Sequence, residues 1–327
     1  MIISRTPLRM SFVGGGSDLP NFYRRYGGAV VTTAIDKYVY VTLNKKFDDG
    51  LRVAYSRNEE VDTLADVEHP IVRNALQLLE IRGGIEITTI ADVPSRGTGL
   101  GSSSAFTVGL LIAAAAHQGR YMSAEELGQL SSKVEIEMCG EPIGKQDQYA
   151  SAYGGFSFIE FHEDDTVQVT PIVMTPDLKG RLESRLLMFY TGTVRSASAL
   201  LKTQSEAVDA DAHKRETLRS MVRLARQMRQ DLGRGDIESF GACLHENWLL
   251  KKSLTGGISS GPIDAAYDAA MAAGATGGKL LGAGGGGFLV FDAAQDKHPA
   301  IVRALAPLRH IPFKFEPLGS RVIFYNP

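Results

Sequence analysis

Residues Pro94–Ala116 read Pro-Ser-Arg-Gly-Thr-Gly-Leu-Gly-Ser-Ser-Ser-Ala-Phe-Thr-Val-Gly-Leu-Leu-Ile-Ala-Ala-Ala-Ala. Gly97, Gly99 and Gly101 free the backbone for close approach to a bulky ligand, with Leu100 between them. Ser102, Ser103 and Ser104 follow, and an alanine-rich apolar helix starts there. The first N–H groups of a helix lack intrahelical partners and carry the positive end of its dipole, so the stretch reads as a phosphate loop. It is not a Walker A loop, because no Gly-Lys-Ser/Thr closes it. A dinucleotide fingerprint fits only with its third glycine missing. The strand expected over Ile85–Ile90 supplies the strand–loop–helix context that an anion loop requires.

The chain around it has 327 residues, 44% hydrophobic, with a net charge of −2, enough for one large or two ordinary domains with proper cores. No long basic run is present, which argues against nucleic acid and polyanionic membrane surfaces and leaves a small molecule as partner. Cys139 and Cys243 are too few for a disulfide framework and lack zinc-site spacing. Met1–Met10 has no signal-like apolar region, and the longest apolar run falls short of the ~20 residues that span a bilayer. A soluble, cytoplasmic protein is the expectation.

Strands are expected over Ile2–Val13, Ala29–Ile35 and Tyr38–Leu43, the last two joined by a turn at Asp36-Lys37. A helical stripe covers His69–Arg82, and Ser123 with Glu126 makes a capping box for a helix running towards Met138. Pro171–Lys179, with a turn at Pro176-Asp177, reads as a linker, dividing the chain into domains at 1–178 and 179–327. Beyond it come a strand at Leu186–Tyr190, helices around 196–208, 213–232, 236–254 and 263–273, a strand at Phe288–Phe291 and closing strands in the tail.

The residues suited to phosphoryl transfer are spread along this order. Asp147, in a glycine-flanked segment, reads either as a general base for a hydroxyl or as a turn or capping aspartate. Glu135 with a serine hydroxyl forms a partial shell for Mg²⁺, the alternative being a solvated helix glutamate, with Glu137 as its neighbour. Arg9 leads into Gly14-Gly15-Gly16-Ser17-Asp18 and reads as a phosphoryl-facing cation or a surface arginine. Asp18 reads as an acceptor for polyol hydroxyls or as a cap for Leu19–Tyr26.

Three segments, Pro7-Leu8-Arg9 through Asp18, Pro94 through Ala105 and Lys279 through Phe288, together resemble the GHMP kinase superfamily and cover the chain end to end. The resemblance implies an α+β, two-domain GHMP kinase fold: an N-terminal α/β domain with a left-handed βαβ unit, against the usual right-handed rule, and a C-terminal α+β domain. It implies ATP in the middle loop, Asp147 as catalytic aspartate, Arg9 as the arginine of the first motif, and Mg²⁺ on Glu135 with Ser103 or Ser104. Substrate would meet Gly15, Gly16, Ser17 and Asp18, with Gly284 and Gly285 walling the site near the phosphates.

Galactokinases carry Gly-Glu-His-Thr-Asp where this chain has Gly14-Gly15-Gly16-Ser17-Asp18, so galactose is not the expected substrate. The triple glycine, Gly144–Gly155 and Thr191–Ser196 look instead like the bacterial kinases of D-glycero-D-manno-heptose 7-phosphate, which phosphorylate the anomeric oxygen. A small-molecule sugar phosphate is then the partner, with Arg195, Lys251 and Lys252 expected to hold its existing phosphate, and a homodimer the expected assembly. A fucokinase-like 1-kinase and a non-catalytic sugar and ATP sensor are the rival readings.

Overall fold

The computed structural model describes residues 1–94, 97–193 and 197–326. The chain opens with β1 (Ile2–Val13), a short helix α1 (Pro20–Tyr26) and the long strand β2 (Gly28–Lys45). β3 (Leu51–Ala54), β4 (Asn58–Val61), α2 (Pro70–Leu78) and β5 (Ile85–Ala91) follow, then α3 (Ser102–His117), α4 (Ala124–Ser132) and α5 (Gln146–Tyr153). The hairpin β6 (Phe156–Phe161) and β7 (Val167–Pro171) leads into α6 (Pro176–Arg185) and β8 (Leu186–Tyr190). Four helices come next: α7 (Ala197–Ala210), α8 (Ala212–Gly233), α9 (Phe240–Leu254) and α10 (Gly261–Ala272). The chain ends with β9 (Gly277–Leu280), β10 (Phe288–Asp292), α11 (His298–Ala304), β11 (Arg309–His310) and β12 (Arg321–Tyr325).

The first sheet runs β12-β1-β2-β5-β3-β4, with β6 and β7 added along the first half of β2. Its parallel pair is β3 and β5, joined by a crossover that carries α2. Helix α3 packs across β1 and β2; beyond its opening serines it is apolar on nearly every side because it is buried on nearly every side. The second sheet, β11-β8-β10-β9, is antiparallel, and helices of the C-terminal half pack around it. One core joins the two halves at Phe12, whose ring stacks on Phe156 at 5.3 Å and meets the Phe240 edge at 5.1 Å.

Three expectations change. Asp36-Lys37 is a bulge inside a single β2, since Pro7 pairs with Tyr38 while Leu8 pairs with Ile35. Asp36 meets the returning tail there: its N–H donates to the Lys314 carbonyl, and its carboxylate accepts from the Lys314 N–H. Pro176-Asp177 opens α6 and is no linker: Thr175 caps the Leu178 N–H at 3.2 Å and Pro176 takes the first helical position. The tail does not stay beyond residue 179 with the C-terminal half, because β12 pairs antiparallel with β1 in the first sheet. Among the described residues no helix is long and apolar enough to cross a membrane.

Candidate active site

Arg9 is built into β1 between two irregularities of the β1–β2 register, one at Pro7/Leu8 and one at Ser11/Val13. Its guanidinium forks onto Asp147 in the first turn of α5, Nε to Oδ1 and Nη2 to Oδ2, both at 2.7 Å. Nη1 donates to the Gly99 carbonyl at 2.6 Å, and the Arg9 N–H to the Leu100 carbonyl at 3.1 Å, tying the phosphate loop to β1. Arg9 is only 3% exposed while the Asp147 side chain keeps 23%, so the carboxylate presents itself to the cleft and the arginine stands behind it.

The phosphate loop is clamped from its other side. A side chain on Gly99 would collide with the Leu281 carbonyl, and one on Gly282 with Gly99 itself, so the two glycine loops touch backbone to backbone. Beside them Glu135 lies on a six-residue π-helical turn, Lys133–Met138, that continues α4. Ser103 Oγ donates to Glu135 Oε1 at 2.8 Å and Gln148 Nε2 to Oε2 at 2.6 Å. Burial lifts the Glu135 carboxyl to about 7, opposed by hydrogen bonds from Ser104, Ser103 and Gln148 and reinforced by the charge of Asp147.

Asp18 forms the opposite wall. Oδ1 accepts from the Gly16 N–H at 2.9 Å and Oδ2 from the Gln146 N–H at 3.3 Å. Burial, then repulsion from Asp147, pushes its carboxyl above the usual range. The approach of the Asp147 segment to Asp18 requires Gly144, where any side chain would run into the Asp18 carboxylate.

These groups line one cleft of about 650 Å³ that also takes in Gly97, Gly101, Ser102, Ser103, Ser104, Gly16 and Lys251. Several expected residues are not in its wall. Ser17 exchanges hydrogen bonds with the Ala29 backbone and staples the loop to β2. Gly15 lies behind the wall near Ser11 and Gln146, and Leu100 is buried in the core. Gly284 packs on Ile258 and the Gly285 N–H donates to the Ile258 carbonyl, leaving Gly282 and Ala283 to face the cleft. Lys252 pairs with Asp264 at 3.2 Å. Arg195 lies outside the described residues.

The sequence reading missed Thr98, Glu141, Gln146, Ser198 and Leu201 in the cleft wall, and Gln148 behind Glu135. The two glutamines flank Asp147 in sequence, the one signal that could have found them. Ser198 and Leu201 arrive from α7 with no motif, and Ser198 bridges to Glu141 at 2.6 Å.

The donor set fits a Mg²⁺ ion that brings most of its own ligands. Among the described residues no three His, Cys, Asp or Glu side chains cluster as a closed cage. One buried carboxylate beside an exposed serine hydroxyl is the partial shell that Mg²⁺ completes with water and phosphate oxygens.

A phosphate-type loop, a carboxylate forked by an arginine and a glycine loop closing on the phosphate loop are the parts of a phosphotransferase cleft. Family comparison gives the same class: the chain matches the GHMP kinases N terminal domain over residues 70–155 and the GHMP kinases C terminal region over residues 228–306. The protein belongs to the GHMP kinases and is an ATP-dependent kinase.

Among its relatives is the D-glycero-alpha-D-manno-heptose 7-phosphate kinase of Campylobacter jejuni, 29% identical, the match covering 93% of each chain. The bifunctional fucokinase/GDP-fucose pyrophosphorylase of Arabidopsis thaliana is 29% identical over 89% of this chain and 30% of its own length. The crystal structure of a D-glycero-D-manno-heptose 1-phosphate kinase from Bacteriodes thetaiotaomicron superposes with a TM-score of 0.81 at 27% identity, covering 100% of both chains.

Proposed function

We propose that this kinase phosphorylates the anomeric hydroxyl of D-glycero-D-manno-heptose 7-phosphate, giving the 1,7-bisphosphate as a precursor of a nucleotide-activated heptose. The observation that carries the reading is the placement of Asp147: an arginine-held carboxylate open to a cleft that has the phosphate loop on one side and Asp18 on the other. The heptose kinases among the relatives supply the substrate class.

The N–H groups that open α3 cradle the ATP phosphates, and Ser103 with Glu135 holds Mg²⁺. When bound, that ion neutralises phosphate charge. Asp147 orients the anomeric hydroxyl and accepts its proton, each oxygen keeping a lone pair beyond its bond to Arg9. An anomeric hydroxyl is more acidic than an ordinary alcohol, so the demand on this base is modest. Asp18 accepts hydrogen bonds from the sugar hydroxyls.

A fucokinase-like reading on an unphosphorylated sugar has one observation in its favour. The described cations of the cleft wall are Arg9 and Lys251, and neither stands apart from the reacting groups as a distal phosphate would need. Arg195, three residues before the cleft-lining Ser198, is the remaining candidate for that phosphate.

The deciding experiment is ADP release with ATP and Mg²⁺ against heptose 7-phosphate, mannose 6-phosphate, mannose, fucose and galactose, followed by NMR of the product. Turnover on heptose 7-phosphate with new phosphate on the anomeric carbon is the expected result. Turnover on fucose alone replaces the substrate, and thermal stabilisation by sugar without ADP release replaces the kinase by a sensor.

A further inference from the structure

Of the charged side chains lining the cleft, Lys251 is the one with no side-chain partner among the described residues. Asp18 and Glu141 have polar contacts of their own, Glu135 is held by Ser103 and Gln148, and Arg9 and Asp147 hold each other. The Lys251 ammonium, on a side chain 4% exposed, makes a single hydrogen bond, to the Gly282 carbonyl at 2.9 Å. Two of its three N–H donors are therefore unassigned.

Its position matters as much as its lack of a partner. Gly282 is the residue at which the last glycine loop touches Gly99 of the phosphate loop. On its other side is the sugar loop: a side chain on Gly15 would begin 3.9 Å from Nζ. The ammonium thus stands at the seam between the phosphate end and the hydroxyl end of the cleft. A charge buried there with no carboxylate in direct contact is costly in the empty enzyme, and the cost is offset when an anion arrives.

Arg9 is poorly placed for that task. Each of its three nitrogens already donates, two to Asp147 and one to Gly99, which leaves only the second N–H of each Nη, and the carboxylate offsets its charge.

We propose that Lys251 is a catalytic residue whose ammonium meets the transferring phosphoryl group, while Arg9 is a positioning residue for Asp147. In the transfer, the acceptor O–H bond breaks and its proton passes to Asp147. The oxygen's electron pair forms the bond to the γ-phosphorus, and the bond from that phosphorus to the bridging oxygen breaks, its pair leaving with ADP. Lys251 keeps its proton throughout and donates to a non-bridging phosphoryl oxygen. This assignment rests on the kinase reading but not on which sugar is the acceptor.

Burial pulls the Lys251 ammonium down to about 8, with Asp18 and Asp147 opposing the shift and Arg9 adding to it. The charged groups facing it are Arg9 from β1, Asp18 from the following loop, Asp147 from α5 and Lys279 from β9. A lysine at this site is still protonated at neutral pH and loses its charge just above it.

The test compares wild type, Lys251→Met and Lys251→Arg as full chains, with ATP, Mg²⁺ and whichever sugar of the panel the wild type turns over. Basal ATP hydrolysis, with water as acceptor, carries the same comparison if the panel holds no substrate, so an error in the sugar leaves this test standing. Lys251→Met is expected to lower kcat by about 100-fold or more while the KM values for ATP and sugar stay within about three-fold. Lys251→Arg is expected to restore part of kcat and to remove the fall in rate above about pH 8 expected of the wild type; because it keeps the charge, it also serves if the methionine variant does not fold. A raised sugar KM at unchanged kcat would overturn the proposal by making Lys251 a ground-state ligand, as would wild-type kinetics or a pH limb that survives in Lys251→Arg.

Discussion

At the scale of single residues the site is a set of short polar contacts between distant parts of the chain. Asp147→Asn keeps a hydrogen-bond partner for Arg9 but removes the proton acceptor, so kcat is expected to fall by about 100-fold or more with ADP affinity nearly unchanged by calorimetry. Glu135→Gln removes the one buried carboxylate of the proposed ion shell; the Mg²⁺ concentration for half-maximal rate should rise at least ten-fold, measured by titrating the ion at saturating ATP. Arg9, Asp18, Glu135 and Asp147 were legible in the sequence, because phosphoryl transfer needs those side-chain types and glycines mark the loops around them. Gln146, Gln148 and Ser198 were not, because their part depends on a partner up to 135 residues away, as when Ser11 Oγ donates to Gln146 Oε1. Ser17, Gly284 and Gly285 sit in the right loops but are spent on Ala29 and Ile258. Sequence proximity to a motif does not say which way a side chain faces.

Among the elements, the capping box of α4 was read correctly, the Thr175-Pro176 start of α6 reads as a linker in the sequence, and features shaped by neighbours were not legible. Ser123 accepts from the Glu126 N–H at 3.1 Å, as its capping-box spacing predicts. Ser123→Ala and Thr175→Ala should each lower stability by about 1 kcal/mol in urea denaturation while leaving kcat unchanged, since neither cap touches the cleft. An unchanged midpoint for Thr175→Ala would mean that packing, not the cap, starts α6. The π-helical turn that carries Glu135 was invisible, because one widened turn leaves no periodic signature over six residues. The sequence shows no strand over Gly277–Leu280, since Gly277-Gly278 lacks strand propensity; its pairing with β10 makes β9 a strand.

The whole molecule is held together by contacts that cross its two halves. Lys279 of β9, buried, donates to the Ser11 and Phe12 carbonyls of β1 at 2.7 and 2.9 Å, fixing the C-terminal glycine loop against the strand of Arg9. Within the C-terminal half, Arg185 forks onto the fully buried Asp292 with both contacts at 2.8 Å. Arg185→Leu strands that carboxylate and should cost about 3–5 kcal/mol by denaturant titration. Burial depresses both Lys251, to about 8, and Lys279. Above about pH 8 the unfolded chain therefore binds more protons at these lysines than the folded one, and stability should rise with pH from there. The rise should become shallower above about pH 9, where the Cys243 thiol, pushed up to about 12 by burial, begins to ionise in the unfolded chain alone and opposes the lysines. Melting temperatures from pH 7.5 to 9.5 check this, and a steady fall would contradict it. The sequence by itself determined the phosphate loop and most elements, because glycine runs, caps and apolar periodicity are local physical constraints, and its three motifs together carried the family resemblance and with it the candidate Asp147. Only the tertiary structure decided that the tail returns to β1, that the glycine loops close on each other, that Arg9 is spent on Asp147, and that Lys251 stands unpaired between them. Those are facts of distance between chain-remote groups, and burial, charge pairing and close backbone approach exist only once the chain has folded.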